Sequence, residues 1–173
     1  MDQPENKILM KFTKKQLDRY SRQIILKKVG AIGQKKFLKS SVLIIGAGGL
    51  GSPIAIYLSA LGIGKIGIVD KDKVELSNLN RQIIFENSDL KKEKSLVAVN
   101  KLRKINPDIS IKSFKKKLTS KNINQIGKKF NIIVDGSDNF KTRFLINDYC
   151  LKNKKILIVG AINKFDGHIY TFN

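Results

Sequence analysis

A run of glycines directly after an apolar segment restricts the fold of this 173-residue chain more than any other feature. The stretch "SVLIIGAGGLGSP" (residues 41–53) places Gly46, Gly48 and Gly51 in the spacing G-x-G-x-x-G. Small residues at these positions let the backbone turn tightly and approach a phosphate, and the free N–H groups at the start of the following helix face that anion. The pattern therefore predicts a strand, a phosphate-binding turn and a helix.

An acidic residue follows at the distance that such a turn requires. Asp70 ends the apolar segment "KIGIVD", 19 residues after Gly51, and an acid about twenty residues beyond the turn is suited to hydrogen-bonding a ribose. Glycines that serve only close packing of helix on strand would not explain this register. The pair of features predicts nucleotide binding but leaves the nucleotide open, so an NAD- or FAD-dependent oxidoreductase is compatible with it.

Short apolar segments alternate with helical patterns along most of the chain, which favours a parallel sheet with helices on both faces. Thr13 is placed to cap a helix over residues 14–30, and Ser88 is placed to cap one over residues 89–106. The predicted fold is α/β. It is a Rossmann-like, mostly parallel sheet with an N-terminal helix, in a single domain (residues 1–173) that stops among its C-terminal strands. The strands are predicted at residues 41–48, 65–70, 109–114, 131–138, 155–162 and 167–173.

The charge of the chain is high, but its distribution argues against nucleic-acid binding. The net charge of +20, taken alone, points to nucleic acid or to an anionic surface. Only five of the 34 basic residues are arginine, the lysines are spread over the whole chain, and aromatic residues do not interleave with them. Background enrichment in lysine explains this pattern, with an acidic partner protein as the alternative.

The location expected from the sequence is the cytoplasm. One cysteine, Cys150, cannot form an internal disulfide and fits a reducing compartment. The first 15 residues are polar and do not resemble a signal peptide. Residues 40–64 carry no charge, but six glycines and Pro53 interrupt them, so two short buried elements are predicted there instead of a membrane span.

The segment after Asp70 carries groups suited to phosphate. "VELSNLNR" (residues 74–81) is a polar loop in which Asn78 and Arg81 are close enough in sequence to converge on one ligand. An arginine binds phosphate oxygens bidentately, and an amide can donate to the same group. Lysines 91, 92 and 94 follow in the predicted helix and add point charges. These cations suit a triphosphate, although each is also explained alone as a solvated surface residue.

Two aspartates end the fourth predicted strand, in "VDGSDN". Open α/β sheets bind ligands at this edge. Asp138 is suited to Mg²⁺, which prefers a carboxylate together with phosphate oxygens, although capping of the next helix would also explain it. Cations, a metal-binding carboxylate and a phosphate turn together favour nucleotidyl transfer over hydride transfer.

These segments resemble the ThiF/MoeB/HesA adenylyltransferases, which are related to ubiquitin-activating enzymes. The matching stretches are "RYSRQIIL", "VLIIGAGGLGSP", "VDKDKVELSNLNRQ", "INP" and "VDGSDN", in the order of the family and across nearly the whole chain. The resemblance implies MgATP-dependent adenylylation of the C-terminal glycine of a ubiquitin-like sulfur-carrier protein, in molybdopterin or thiamine biosynthesis. A tRNA-modifying member of the same superfamily is the alternative. The "RYSRQIIL" opening favours the protein-activating branch of the superfamily over this alternative.

The resemblance also implies roles for particular residues. Gly49 contacts ATP through its backbone, Asp70 binds the ribose, Lys94 binds phosphate and Asp138 holds Mg²⁺. Arg22 reaches across a homodimer interface into the neighbouring site, and with Arg81 and Asp138 it forms the predicted catalytic set. The remaining residues implied to bind ATP are Ser77, Asn78, Leu79, Asn80, Arg81 and Asn139.

The resemblance is incomplete at the C-terminal end. Relatives usually continue into two Cys-x-x-Cys pairs that hold structural zinc and into a region that docks the carrier, and this chain has neither pair. Cys150 is expected to be a core thiol and His168 a strand residue. The chain is thus expected to be a fragment or a shortened homologue.

Overall fold

A six-stranded sheet forms the centre of the molecule in the computed structural model, which describes residues 12–173. The strand order is β3-β2-β1-β4-β5-β6, with parallel pairing throughout except between β5 and β6. The predicted α/β fold with a mostly parallel sheet is confirmed. The strands are β1 Ser41–Ile45, β2 Lys65–Val69, β3 Ser110–Phe114, β4 Ile132–Asp135, β5 Ile156–Asn163 and β6 Asp166–Phe172.

The sheet buries an apolar core on each face. Successive side chains of a strand point to opposite faces, so Val42 and Ile44 of β1 belong to one core while Leu43 and Ile45 belong to the other. Covering both faces explains why these strands are continuous apolar runs without polar alternation. The helices are α1 Lys14–Ile24, α2 Gly30–Lys39, α3 Gly51–Leu61, α4 Lys94–Ile105, α5 Ile123–Gly127 and α6 Phe140–Asn153.

The predicted helix over residues 14–30 is wrong in its length. Its start is as expected, because the Thr13 side chain accepts a hydrogen bond from the backbone of Gln16 and the Gln16 side chain accepts one from Thr13 in return. The chain leaves the helix after Ile24, and Gly30 opens a second helix at a φ of +59°. This left-handed conformation suits glycine and turns the chain between α1 and α2.

Ser88 does not cap a helix, and that prediction is wrong. Helix α4 begins at Lys94, while residues 74–93 form a loop with two short 3₁₀ turns, Leu76–Asn78 and Asn87–Asp89. Backbone hydrogen bonds of Val74 with Lys91 and Lys92 tie the two ends of this loop together, so an α-helix cannot form through them. The loop is anchored from within by its buried apolar side chains, among them Ile84 and Phe85.

The last two strands form a hairpin at one edge of the sheet. Strand β6 pairs only with β5, in an unbroken antiparallel register from Asp166 to Phe172, and all seven of its residues are exposed. His168 lies in this strand, as expected. Across residues 12–173, no helix has the length and apolar character that a bilayer crossing requires.

Candidate nucleotide-binding site

A cleft of about 310 Å³ opens at the carboxyl ends of the central strands. Strands β1 and β4 are neighbours in the sheet, with β2 and β3 continuing on one side and β5 and β6 on the other, so the strand order reverses at this point. Open α/β sheets bind their ligands at such a switch point. Six of the predicted site residues line the cleft: Gly49, Asp70, Arg81, Lys94, Asp138 and Asn139.

Close contact between backbone segments requires glycine at positions in this turn. Gly46 has a φ of +91°, which favours glycine. A Cβ on Gly51 would lie 1.8 Å from the carbonyl oxygen of Gly46, so only glycine fits where helix α3 starts. At Gly48 the nearest heavy atom to such a Cβ is the Gln82 amide nitrogen at 3.9 Å. The turn therefore presents open backbone to the cleft at Gly48 and is tightly packed below, at Gly51.

Asp70 links the glycine turn to the loop after β2. One carboxylate oxygen accepts a hydrogen bond from the Ala47 N–H and the other from the Asp72 N–H, each at 2.8 Å. Burial raises the pKa of Asp70, while these two hydrogen bonds and the Lys94 ammonium act in the opposite direction. The carboxylate keeps free lone pairs toward the cleft, where a ribose hydroxyl could donate to them.

Arg81 lies over the glycine turn with part of its guanidinium already bound. Its Cγ lies 3.5 Å from the position of a Cβ on Gly49. Its Nη1 donates to the Ser77 carbonyl at 2.9 Å and to the Asn80 side-chain oxygen at 3.0 Å. Among the described residues, its Nε and Nη2 have no hydrogen-bond partner, so these two donors are available to an anion in the cleft.

Lys94 supplies the second cation. It is the first residue of α4, and only 7% of it is exposed. Its backbone N–H donates to the Asp72 carbonyl, which fixes the helix start beside the end of β2. A buried ammonium at this place strengthens the attraction for phosphate, because the surrounding protein screens charge less than water does. No ion pair to this ammonium is found within residues 12–173.

Asp138 and Asn139 lie on the loop between β4 and α6. The Asn139 side chain caps α6 by accepting a hydrogen bond from the Thr142 N–H at 2.9 Å. The cap of this helix is therefore Asn139, which leaves the exposed Asp138 carboxylate with one long contact, 3.4 Å from the Asn139 amide nitrogen. An exposed carboxylate that faces the cleft matches what Mg²⁺ needs from a protein when phosphates supply other ligands.

The other predicted site residues lie outside the cleft lining. Asn78 is 8% exposed, and its side-chain oxygen accepts from the Glu75 N–H within its own 3₁₀ turn, so it does not converge with Arg81 as expected. Asn80 touches the Arg81 guanidinium. Arg22 is exposed near the end of α1. Ser77 and Leu79 belong to the same loop as Asn78.

The family model for the ThiF family matches residues 20–173. The chain belongs to the ThiF family. Among curated relatives, it is 44% identical over 164 residues to the sulfur carrier protein adenylyltransferase of Thermus thermophilus, with 95% of this chain and 60% of that protein covered. It is 47% identical over 155 residues to a probable molybdopterin-synthase adenylyltransferase of Porphyra purpurea, with 90% and 41% covered. The chain thus spans less than two thirds of the length of both.

Solved structures of similar fold include two with nucleotides in their names. Escherichia coli MccB with ATP has a TM-score of 0.75 and 30% identity, over 83% of this chain and 44% of that chain. The E. coli tRNA N6-threonylcarbamoyladenosine dehydratase TcdA, in complex with AMP, has a TM-score of 0.78 and 25% identity, over 87% and 63%. These likenesses agree with the α/β fold described above.

Several groups in this ThiF-family cleft were missed by sequence reasoning. Gln82 is 5% exposed and its side-chain oxygen has no hydrogen-bond partner in the described structure. Ser137 lines the cleft between Gly136 and Asp138, and its hydroxyl is likewise unpartnered. Lys116 and Lys117 reach the cleft from the end of β3. The lysines carry no local signal because 29 lysines occur in the chain. Gln82 and Ser137 lie within the quoted motifs "VDKDKVELSNLNRQ" and "VDGSDN", and their place there is the signal that could have identified them.

The single cysteine lies away from this cleft in the ThiF-family fold. Cys150 is 3% exposed in α6, and burial raises the pKa of its thiol to about 11, so it is protonated at neutral pH. Within residues 12–173, no group of three or more His, Cys, Asp or Glu side chains is placed to hold a metal ion. The expectation of a core thiol agrees with this burial.

Proposed function

We propose that this chain is the nucleotide-binding part of an adenylyltransferase, one that uses ATP to activate the C-terminal glycine of a small ubiquitin-like sulfur-carrier protein. The observation that carries the proposal is the convergence of the glycine turn, Asp70, Arg81, Lys94 and Asp138 on one cleft at the switch point of the sheet. The names of the two curated relatives support the reaction class. ThiF-family membership favours this activity over the oxidoreductase alternative.

In this reaction the terminal carboxylate of the carrier attacks the α-phosphorus of ATP. A bond forms between a carboxylate oxygen and phosphorus, the bond from that phosphorus to the oxygen bridging the β-phosphate breaks, and pyrophosphate leaves. Arg81 and Lys94 stabilise the negative charge on the phosphates, and Asp70 orients the ribose. Open backbone at Gly48 and Gly49 lets the phosphates approach the turn.

Magnesium fits the proposed site through Asp138. The exposed carboxylate at the cleft offers hard oxygen ligands, and substrate phosphates supply others. When bound there, the ion would neutralise phosphate charge. Asn139 holds the adjoining helix start, which keeps the Asp138 backbone in place.

A homodimer with Arg22 acting across its interface is part of the proposal. Arg22 is exposed beside two apolar side chains, Ile25 at 70% and Leu26 at 53% exposure, and such a surface suits a partner subunit. If Arg22 acts in the neighbouring site, mixing and re-equilibrating Arg22→Ala with Asp138→Ala protein restores activity at roughly a quarter of sites. No recovery on mixing would contradict the action of Arg22 across the interface.

Modification of a tRNA base is the competing function. The net charge of +20 and the likeness to the E. coli tRNA dehydratase favour it. The placement of the carrier in molybdopterin or thiamine biosynthesis follows the sequence resemblance and belongs to the proposal. The placement of the reaction in the cytoplasm follows from the single cysteine and also belongs to the proposal.

A titration followed by an exchange assay tests the proposal. Calorimetry should show saturable, Mg²⁺-dependent binding of ATP and no binding of NADH. ATP–pyrophosphate exchange should then rise when a Gly-Gly-ending molybdopterin or thiamine carrier is added, and should not rise with the same carrier lacking its last glycine. Stimulation by tRNA alone would support the competing function. Binding of NADH but not of ATP would support the oxidoreductase alternative.

A further inference from the structure

Asp135 ends strand β4 inside the protein, and its carboxylate is held by the loop that leads to Asp138. The residue has no exposed surface, and one of its carboxylate oxygens accepts a hydrogen bond from the Ser137 N–H at 2.9 Å. Its other oxygen is buried and has no hydrogen bond in the described structure. A buried carboxylate needs a nearby positive charge, because transfer of an unpaired charge out of water is costly.

Arg143 provides that charge and also holds the other side of the same loop. It lies in the first turns of α6, with its Nε 3.9 Å from the unbonded oxygen of Asp135. Its Nη2 donates to the Ser137 carbonyl at 3.1 Å and to the Gly160 carbonyl of β5 at 3.3 Å. Both backbone polar groups of Ser137 are therefore bound, the N–H by Asp135 and the carbonyl by Arg143.

The loop residue that needs positioning is Asp138. Within residues 12–173 its side chain takes part in a single hydrogen bond, at 3.4 Å, so the place of its carboxylate depends on the backbone on either side. Asn139 fixes the backbone on the helix side by capping α6. On the strand side, the backbone is fixed at Ser137 by its hydrogen bonds with Asp135 and Arg143.

We propose that Arg143, paired with Asp135, is a positioning residue that holds segment 136–139 so that the Asp138 carboxylate faces the cleft in the orientation that Mg²⁺ requires. The inference rests on the proposed function. Groups that orient a metal ligand without touching the ion change metal affinity by about ten- to a hundredfold when they are lost. Arg143 suits the task because its planar guanidinium spans two carbonyls and a carboxylate at once, which a lysine ammonium does not do.

Arg143→Lys tests the inference, with Arg103→Lys as the matched control. Arg103 also donates to a backbone carbonyl, that of Ile111 at 3.1 Å, but unlike Arg143 it makes no hydrogen bond or ion pair with Ser137 or Asp135. ATP affinity is measured by calorimetry across a Mg²⁺ titration and again with EDTA. We expect Arg143→Lys to raise the Mg²⁺ concentration needed for half-maximal tightening about tenfold, with metal-free ATP affinity unchanged and Arg103→Lys like the wild type.

Two results would overturn the inference. One is an unchanged Mg²⁺ requirement in a folded Arg143→Lys protein, and the other is an equal loss of ATP affinity with and without Mg²⁺, which indicates a purely structural role. Amide hydrogen exchange of Ser137, Asp138 and Asn139 is measured in parallel, without ligand. We expect faster exchange at these amides in Arg143→Lys and no change in Arg103→Lys.

The exchange measurement separates this inference from the proposed function. If the wild-type chain binds no ATP, the proposed function fails, and the exchange rates still decide whether Arg143 holds the loop. Unchanged exchange in Arg143→Lys would then overturn the positioning role. An Arg143→Met variant checks that removal of the charge has a larger effect on exchange than the lysine does.

Discussion

The carboxylate of Asp70 accepts a hydrogen bond from the N–H of Ala47 at 2.8 Å, which ties the end of β2 to the glycine turn. The predicted ribose ligand thus also supports the predicted phosphate turn. Its second oxygen is bound to the Asp72 N–H. Two parts of one binding site are in this way held by a single side chain.

Replacing Asp70 with asparagine should weaken both the fold and the site. An amide has one oxygen, so the N–H of Ala47 or of Asp72 loses its acceptor, and we expect a loss of about 1 kcal/mol in urea unfolding. ATP affinity should fall by about tenfold, equivalent to about 1.4 kcal/mol. Asp72→Asn is the control, since Asp72 lines the same cleft but, among the described residues, its side chain is paired only with exposed Lys71. An ATP affinity in Asp70→Asn equal to that of the wild type would contradict the role of Asp70 in binding the ribose.

Alanine should affect stability at one glycine of the turn and ATP binding at another. Gly51→Ala forces a Cβ into the Gly46 carbonyl, and we expect a loss of at least about 2 kcal/mol in the free energy of unfolding. Gly48→Ala meets no atom closer than 3.9 Å, so stability should stay within about 0.5 kcal/mol while ATP binding weakens. Urea unfolding and ATP titration of both variants measure this. A stable Gly51→Ala protein would contradict the turn geometry.

Asp138→Ala should abolish ATP–pyrophosphate exchange without unfolding the protein. The side chain is exposed and, in the described part of the chain, takes part in one long hydrogen bond of 3.4 Å, so its loss should change stability by less than about 0.5 kcal/mol. Asp148→Ala is the control, because it removes an exposed carboxylate from α6 that does not line this cleft. Exchange at the wild-type rate in Asp138→Ala would mean that its metal role is misassigned.

Arg81→Ala should weaken ATP binding by about a hundredfold, which corresponds to about 3 kcal/mol for a charge-assisted contact to phosphate. Arg81→Lys should recover only part of the affinity, since an ammonium lacks the planar pair of donors. ATP titration at low and high salt measures both variants. Unchanged affinity in Arg81→Ala would leave that arginine as a surface residue bound to Ser77 and Asn80.

Acid should remove stability that the Lys101–Asp89 pair provides. Burial raises the pKa of Asp89, but the hydrogen bonds from Lys101 and from the Glu86 N–H outweigh it, and the pKa lies below its usual value of 3.8. A lowered pKa gives stability that is present above the unfolded value and is lost as pH falls through the folded one.

Urea unfolding measured from pH 7 down to about pH 2 tests the Lys101–Asp89 pair. Lys101→Met should destabilise the protein at pH 7, and the difference from wild type should shrink from about pH 4 downward. Lys104→Met, a lysine three residues further along α4, is the control and should show neither effect. A difference that stays constant down to about pH 2 would contradict the role of Asp89.

The local sequence pattern was sufficient to predict those elements whose structure is set by residues close together in the chain. Strands β1, β2 and β4 begin within one residue of the predicted positions and Thr13 caps its helix, because both faces of the central strands are buried and the cap is a contact between near neighbours. Strands β1 and β4 end three residues earlier than predicted. The helix expected from Ser88 begins only at Lys94, since hydrogen bonds of Val74 with Lys91 and Lys92 join residues far apart in the loop.

The sequence by itself determined the α/β fold, the glycine turn and the family, because spacing along the chain carries that information. Only the tertiary structure decided which side chains share the cleft. The Asn78 side chain is hydrogen-bonded within its own loop, and Arg143 is paired with Asp135 at the end of β4. Gln82 lies beside the glycine turn and Ser137 lies in the Asp138 loop, each with an unpartnered side-chain oxygen. The physical reason is that hydrogen bonds across the loop and between strand ends set side-chain direction, and a linear pattern does not record them.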